Sequence, residues 1–254
     1  RFYKKLGYPL SLRNPQTFNE KVHWRKTFDR NPLFSICADK LKARDYVKGK
    51  IGEQFLIPLL YSGESITAAQ LAALSGEFVV KANHNSGPVH LVDKHQPTDF
   101  EGIAKNIRQQ LKRPYAVKSG EWWYQHIPRR VIVEKLLRSE SGQRAMDYKF
   151  FVFKSGDHAE YVLQISYGDT DRQTITFYDE EQNVLPFKIH KDNDFRPFHR
   201  PENYPHMVEL AKHLAADFDF CRVDLYNIDG QIYFGELTFA PSSGTAAYDP
   251  IEFD

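Results

Sequence analysis

Residues 222–238 read RVDLYNIDGQIYFGELT, and this stretch decides the class of fold. Asp229-Gly230 is the strongest hairpin dipeptide in the chain, and apolar residues alternate with polar ones on both sides of it. The pattern predicts two paired antiparallel strands, 221–226 and 231–238, with one face toward a core. The positions predicted to face that core are Val223, Leu225, Ile232 and Phe234.

Two carboxylates lie on the other face of this predicted hairpin. Asp224 and Glu236 are about equally far from the turn, so the pairing places them nearly opposite each other. Like charges in that arrangement repel, and a cation between them relieves the repulsion. Hard carboxylate oxygens suit Mg²⁺, which takes one or two protein carboxylates together with substrate phosphates. Two solvated carboxylates on an exposed face are the alternative.

The hairpin extends a longer antiparallel pattern. Ser155-Gly156-Asp157 is a second hairpin signal, and a helix begins at Pro201-Glu202. Further strands are predicted at 148–153, 159–165, 173–178 and 184–187. This half of the chain is therefore predicted to be a mostly antiparallel sheet with a helix.

Upstream of residue 147, short strands alternate with helices. The predicted strands are 55–60, 78–81, 89–92 and 130–137, and the predicted helices between them are 67–74 and 99–111. The first fifty residues are predicted to be helical, with Asn14 as an N-cap and Pro15 at the first helical position. The fold class is α+β, with a helical segment 1–53, a small lobe 54–137 and a large lobe 138–254.

Composition argues against several classes of function. Lys and Arg number 34 against 33 Asp and Glu, for a net charge of +1, which argues against a general nucleic-acid-binding protein. Cys37 and Cys221 are too few for a disulfide framework or a zinc site. No apolar run reaches the length of a membrane span, and we expect a cytoplasmic protein. The sequence does not indicate an oligomeric state.

Further charged positions lie at strand ends. Lys81 ends a buried strand and precedes the turn Asn83-His-Asn-Ser-Gly87, whose amides could cradle phosphate oxygens; an ordinary hairpin turn is the alternative. Glu134 also ends a buried strand, where it could accept from an adenine amino group or be solvated. Asp39-Lys40 is equally ambiguous, because Asp39 is a good N-cap residue. The aromatic cluster Trp122-Trp123-Tyr124 is either a sugar-stacking platform or a buried small core.

The order of these elements resembles the ATP-grasp superfamily, and the chain is similar in particular to the TupA-like ATP-grasp family. The segments that carry the resemblance are Tyr8-Pro-Leu10, Asn14-Pro-Gln-Thr-Phe-Asn-Glu-Lys21, Asp147-Tyr-Lys-Phe-Phe151 and Gly235-Glu-Leu-Thr238. The resemblance implies two α+β lobes that clasp ATP. The superfamily usually has asparagine where Thr238 stands, and glycine is expected where Asn85 stands.

The resemblance also implies a role for each matching residue. Lys40 and Lys81 would contact ATP phosphates, and the loop that contains Ser86 and Gly87 would cover them. The adenosine residues would be Glu134 at the adenine, Lys135 and Leu137 through their backbone, and Asp147 at the ribose. The Mg²⁺ ligands would be Asp224, Glu236 and Thr238. Arg222 would stabilise the transferring phosphoryl group, and Lys149 and Arg172 would contact the acceptor or the phosphates.

The implied activity is an ATP- and Mg²⁺-dependent carboxylate–amine ligase that forms an amide through an acyl phosphate. Its partners would be a small-molecule or glycan carboxylate and an amine donor, in cell-surface polysaccharide biosynthesis. A kinase on the same fold is one alternative, with Asp169, Asp171 or His199 as its base. A carbohydrate-binding or glycosyltransferase-accessory protein that uses the Trp122–Tyr124 cluster is the other.

Overall fold

The computed structural model describes residues 2–93, 95–117, 119–143, 145–168 and 173–254. They group into two compact units. The terminal unit comprises Arg1–Asn31 and Ala145–Asp254, and the central unit comprises Pro32–Arg144. The predicted helical segment 1–53 therefore contributes to both units.

The elements follow in chain order. The helices are α1 (Phe2–Leu6), α2 (Phe18–Phe28), α3 (Leu33–Ala38), α4 (Ala43–Lys50), α5 (Ala68–Ala72), α6 (Phe100–Lys112) and α7 (Tyr204–Ala215). The strands are β1 (Leu59–Gly63), β2 (Phe78–Ala82), β3 (His90–Val92), β4 (Val131–Lys135), β5 (Met146–Ser155), β6 (His158–Tyr167), β7 (Thr174–Tyr178), β8 (Lys188–Ile189), β9 (Phe220–Ile228), β10 (Gln231–Thr238) and β11 (Tyr248–Asp249). Within the described ranges, no helix combines the length and apolar character needed to cross a bilayer.

The central unit is built on a four-stranded antiparallel sheet in the order β1-β4-β2-β3. Alternate residues of β2 and β4 face a core that includes Phe78, Val80 and Val133, and Ile107 of α6 packs there. Asp99 caps α6 by accepting from the Gly102 N–H at 2.8 Å, as the sequence predicts. Because these residues fill one face of the sheet, Lys81 and Glu134 project from the other.

The terminal unit is built on a five-stranded antiparallel sheet in the order β10-β9-β5-β6-β7. Helix α7 covers one face, where Tyr204 stacks on Phe150 with ring centroids 6.0 Å apart. Helix α2 joins this unit through Phe18, which meets Phe220 edge to face, and through Arg25, which donates to the Phe220 carbonyl at 2.9 Å. The 222–238 hairpin supplies β9 and β10, as predicted.

Helix α2 begins three residues later than the sequence analysis predicts. Its N-cap is Thr17, which accepts from the Glu20 N–H, while the Glu20 carboxylate accepts from the Thr17 N–H. The same carboxylate also accepts from the Ser11 and Gln16 N–H groups, each at 2.8 Å. This reciprocal capping box satisfies more helix-end donors than Asn14-Pro15 could, so the assignment of Asn14 as N-cap is wrong.

Two predicted strands are also placed differently. Strand β1 begins at Leu59 rather than at residue 55, because Pro58 has no N–H to give to a ladder. In the predicted strand 184–187, Val184 makes only an isolated bridge to Tyr178. The regular pairing in that region is between β8 and β11.

Candidate active site

The carboxylate pair of the hairpin exists because β10 contains a bulge. The strands pair regularly from Gln231 opposite Ile228 to Phe234 opposite Leu225, and the register then shifts so that Glu236 lies opposite Asp224. Without the extra residue, Gly235, the partner of Glu236 would be Val223, which faces the core. A Cβ at Gly235 would lie 3.0 Å from the Asp224 carbonyl oxygen, so glycine suits this crossing.

Asp224 is the centre of a buried network of charges. The Arg222 guanidinium donates to both of its carboxylate oxygens, from Nε and Nη2, at 2.7 Å each. Lys149 Nζ donates to Asp224 Oδ2 at 2.9 Å and also to Asp147 Oδ2. Strand pairing explains this proximity, since Lys149 of β5 lies directly opposite Asp224 of β9.

The network shifts the pKa values of its members in opposite directions. Burial opposes ionisation of Asp224, but Arg222 and then Lys149 outweigh it and lower the pKa of this carboxyl. Burial and then the charge of Asp224 raise the pKa of Asp147. Burial opposes the charge on Lys149, but Asp224 and Asp147 outweigh it and raise the pKa of the ammonium. Near neutral pH, Asp224 is therefore ionised, and Arg222 and Lys149 are charged.

Two oxygens beside this network are buried without a hydrogen-bond partner among the described residues, Asp147 Oδ1 and Thr238 Oγ1. Thr238 lies opposite Arg222, two residues after Glu236 on the same strand. A buried polar atom without a partner is costly, and a ligand removes that cost. Asp224, Glu236 and Thr238 offer only oxygen atoms, which fits Mg²⁺ in the chemistry of its ligands.

In the central unit, Lys40 and the 83–87 loop belong to one polar network. The side chain of Asn83 is fully buried and donates to Asp39 Oδ1 at 2.7 Å and to the Pro128 carbonyl at 2.9 Å. Its backbone carbonyl accepts from the Lys40 N–H at 3.2 Å, and Lys40 Nζ donates to the Asn85 carbonyl at 2.7 Å. Lys40 is thus attached to the 83–87 loop at both its backbone and its ammonium.

The 83–87 loop is fastened to α6 through Asn85. Its side-chain amide donates to Gln110 Oε1 at 3.1 Å, and its Oδ1 accepts from the Gly87 N–H at 3.0 Å. A Cβ at Gly87 would lie 2.7 Å from Gln110 Oε1, so a larger residue there would displace this anchor. Ser86 is exposed at the tip. Asn85 therefore replaces the expected glycine with a side chain that holds the loop in one conformation.

Glu134 is buried between two cations. Its Oε2 lies 2.7 Å from Lys81 Nζ and its Oε1 lies 3.1 Å from Arg44 Nη1. The sequence analysis missed Arg44, whose partner is 90 positions away, so no local pattern could reveal it. Beyond Glu134, the Lys135 N–H is used in a bond to the Pro58 carbonyl at 3.0 Å, and Leu137 is partly buried.

Other sequence candidates end differently, and a further cluster of two carboxylates and a histidine is explained by ion pairs. Arg172, Asp169 and Asp171 lie outside the described residues. The 122–124 cluster is the small core rather than a platform, because Trp123 and Tyr124 are buried. Ligand atoms of Glu77, Asp93 and His95 lie within 4.8 Å of one another, but Arg138 forms ion pairs with both carboxylates, which accounts for their proximity.

The chain can be compared with solved structures at low sequence identity. It is similar to D-alanine–D-alanine ligase from Helicobacter pylori, with 14% identity and a TM-score of 0.47 over 82% of this chain and 53% of that one. An ADP complex of purK, N5-carboxyaminoimidazole ribonucleotide synthetase, shows 13% identity and a TM-score of 0.46 over 89% and 52%. The corresponding synthetase from Thermus thermophilus shows 8% identity and a TM-score of 0.45 over 89% and 52%. This chain thus spans about half the length of these proteins.

A family model gives a more direct assignment. No curated protein matches the chain significantly. The model described as TupA-like ATPgrasp matches residues 20–254, which include most of α2, the 83–87 loop and the bulged hairpin. The match covers the larger part of both units. This protein belongs to the TupA-like ATP-grasp family.

Proposed function

We propose that this chain is an ATP- and Mg²⁺-dependent carboxylate–amine ligase. The observation that carries the proposal is the bulged hairpin, which pairs Asp224 with Glu236 on the face that also holds Arg222 and Lys149. Asp147 lies on the same face, so three carboxylates share it with two cations. Such a surface suits a divalent cation with its phosphates, and membership of an ATP-grasp family supports ATP as their source.

The residues of the terminal unit would hold the reacting phosphate. Asp224, Glu236 and Thr238 would bind Mg²⁺, which neutralises charge on the β- and γ-phosphates when it is bound. Arg222 would lie against the transferring phosphoryl group, and Lys149 would donate to a phosphate oxygen. Asp147 would accept from a ribose hydroxyl through Oδ1, the atom that has no other partner among the described residues.

The residues of the central unit would hold the rest of the nucleotide. Lys40 and Lys81 would contact phosphate oxygens, and the 83–87 loop, fastened by Asn85, would cover them at Ser86 and Gly87. Glu134 would accept from the adenine amino group. The backbone carbonyl of Lys135 and the backbone of Leu137 would meet the ring edge, since the Lys135 N–H is already bonded.

The chemistry is a phosphoryl transfer followed by an acyl transfer. A carboxylate oxygen of the acceptor attacks the γ-phosphorus, the bond to the β–γ bridging oxygen breaks, and ADP leaves with that oxygen. An amine then attacks the acyl carbon, phosphate leaves, and the amine loses a proton to give the amide. The protein contributes position and charge neutralisation, which are the principal demands of phosphoryl transfer.

The acid would be a uronic acid or an acidic amino acid, free or within a cell-surface glycan, as the family resemblance implies. We place the reaction in the cytoplasm. There ATP is abundant, and thiols such as buried Cys37 and Cys221 stay reduced.

Calorimetry tests the proposal. Wild type should bind ATP only with Mg²⁺ present, and the Asp224→Asn/Glu236→Gln variant should lose at least about 100-fold in affinity, because charge-assisted contacts are worth about 1.5–3 kcal/mol each. Glu160→Gln, an exposed carboxylate of β6, is the matched control and should bind as wild type does. No binding by wild type would overturn the proposal.

The reaction type needs a second measurement. Acids and amines are supplied together with Mg–ATP, and free phosphate is measured. A ligase releases phosphate only when both substrates are present. Transfer of phosphate to a stable product without its release would instead indicate a kinase.

A further inference from the structure

The side chain of Arg44 lies against the residue proposed to recognise adenine. It extends from α4 and is only 17% exposed. Nη1 is 3.1 Å from Glu134 Oε1, and Nη2 donates to the Ile57 carbonyl at 2.9 Å. The two nitrogens thus connect the Glu134 carboxylate to the backbone just before β1.

The second oxygen of Glu134 has a different partner. Oε2 lies 2.7 Å from Lys81 Nζ, and the carboxylate side chain is 9% exposed. Each carboxylate oxygen can accept two hydrogen bonds, so one accepting position remains on each after Arg44 and Lys81 are bound. The carboxylate can therefore accept from one more donor without releasing either cation.

The two cations differ in what they can do besides holding Glu134. Lys81 projects from β2 on a flexible stem, and an ammonium can contact a phosphate oxygen as well as a carboxylate. The Arg44 guanidinium is planar, and both of its terminal nitrogens donate hydrogen bonds, Nη1 to Glu134 and Nη2 to the Ile57 carbonyl. The guanidinium is therefore suited to fix the plane of the carboxylate.

We propose that Arg44 is a positioning residue for nucleobase specificity. It holds the Glu134 carboxylate in a fixed orientation, so that a free accepting position meets the amino group of a 6-aminopurine. A 6-oxo purine presents an acceptor at that position and is disfavoured by the same carboxylate. The inference rests on the proposed function, since it assumes that Glu134 faces the base of bound ATP.

The test compares ATP with purine riboside triphosphate, which lacks the amino group at position 6. Binding of each is measured by calorimetry with Mg²⁺ on wild type, Arg44→Gln, Glu134→Gln and the double variant. Wild type should prefer ATP by about 10- to 100-fold, the range expected for a hydrogen bond to a charged acceptor. Arg44→Gln should reduce this preference to below about 3-fold. The preference of the double variant should be little lower than that of Arg44→Gln, because both residues act through the same contact.

A control separates positioning from folding. Lys48→Gln breaks an exposed ion pair to Glu53 and changes the charge of the same helix by the same amount. It should keep the wild-type preference. Arg44→Lys should give an intermediate preference, because one ammonium cannot hold both the carboxylate and the Ile57 carbonyl.

The outcomes distinguish failure of the proposed function from failure of the role proposed for Arg44. If wild type binds neither nucleotide, the proposed function fails. If wild type prefers ATP and Arg44→Gln weakens both nucleotides equally, Arg44 has only a structural role and this inference is overturned. If Arg44→Gln does not fold, Arg44→Lys decides, and an unchanged preference in that variant would also overturn the inference.

Discussion

At the scale of single residues, opposite charges keep a buried carboxylate, Asp224, ionised. Asp224 is 4% exposed, and isolated burial would favour its protonated form. Arg222 and Lys149 reverse this effect through direct hydrogen bonds. In the proposed reaction both cations also contact phosphate oxygens, so the same side chains would keep Asp224 ionised and serve the chemistry.

A half-buried histidine outside the site should make the stability of the protein sensitive to pH. His23 Nε2 has no partner among the described residues, and burial, with the nearby Lys26, lowers its pKa to about 4. The unfolded chain, with a histidine pKa of about 6.5, binds the proton more readily. Below pH 6.5 the unfolded state therefore gains protons first, and stability falls as pH falls toward about 4.

We predict that His23→Gln flattens this dependence. Between pH 7.5 and pH 5 the free energy of unfolding of wild type should fall by about 1–2 kcal/mol more than that of the variant, as measured by urea unfolding at each pH. The carboxylates are common to both proteins and cancel in the comparison. Parallel pH profiles for the two proteins would contradict the assignment.

At the scale of elements, one extra residue in β10 determines which side chains meet. Ile232 and Phe234 face the core, and after Gly235 the next core residue is Leu237, so the alternation changes parity. This change turns Glu236 toward Asp224. Bulges of this kind commonly redirect a functional side chain, and here the bulge produces the carboxylate pair.

Gly235→Val should weaken Mg²⁺-dependent ATP binding by about 10-fold or more and destabilise the fold by about 1–3 kcal/mol, because its side chain would press on the β9 backbone at Asp224. Calorimetry and urea unfolding measure the two effects. Gly49→Ala is the control, since nothing lies within 4 Å of its Cβ position on α4, and it should stabilise by about 0.5–1 kcal/mol. Unchanged binding by Gly235→Val would show that the bulge does not set the metal site.

At the scale of the whole molecule, the chain forms a terminal unit from both of its ends and a central unit from its middle. Helix α2, near the start of the sequence, packs on strands from its last third through Phe18 and Arg25. Under the proposed function, a nucleotide that binds the folded protein should raise its stability.

We predict that Mg–ATP at about 100 times its Kd stabilises the protein by about 2.7 kcal/mol, which corresponds to a rise in Tm of about 5–10 °C. Differential scanning calorimetry measures the shift. The Asp224→Asn/Glu236→Gln variant should show little of it. A rise of equal size in that variant would place the nucleotide away from the hairpin.

Much of the fold could be predicted from local sequence. Asp229-Gly230 determined the last hairpin, and Asp99 determined the start of α6. Two errors had local signals that were available, namely Pro58 at the start of β1 and the Thr17–Glu20 capping box at the start of α2. These features depend on backbone dihedrals and on partners a few residues away, which a sequence displays directly.

The sequence by itself therefore determined the antiparallel class and the hairpin, and it indicated Asp224 and Glu236 as a candidate pair, but the bulge that sets them opposite each other was revealed only by the structure. Only the tertiary structure decided that Lys149 bridges Asp147 and Asp224, and that Arg44 lies on Glu134. The contacts of Lys149 with Asp224 and of Arg44 with Glu134 join residues on different elements, up to 90 positions apart, and their geometry follows from strand register and helix packing. Local propensity carries no information about strand register or helix packing, because both are set by how the completed sheets bury their apolar faces.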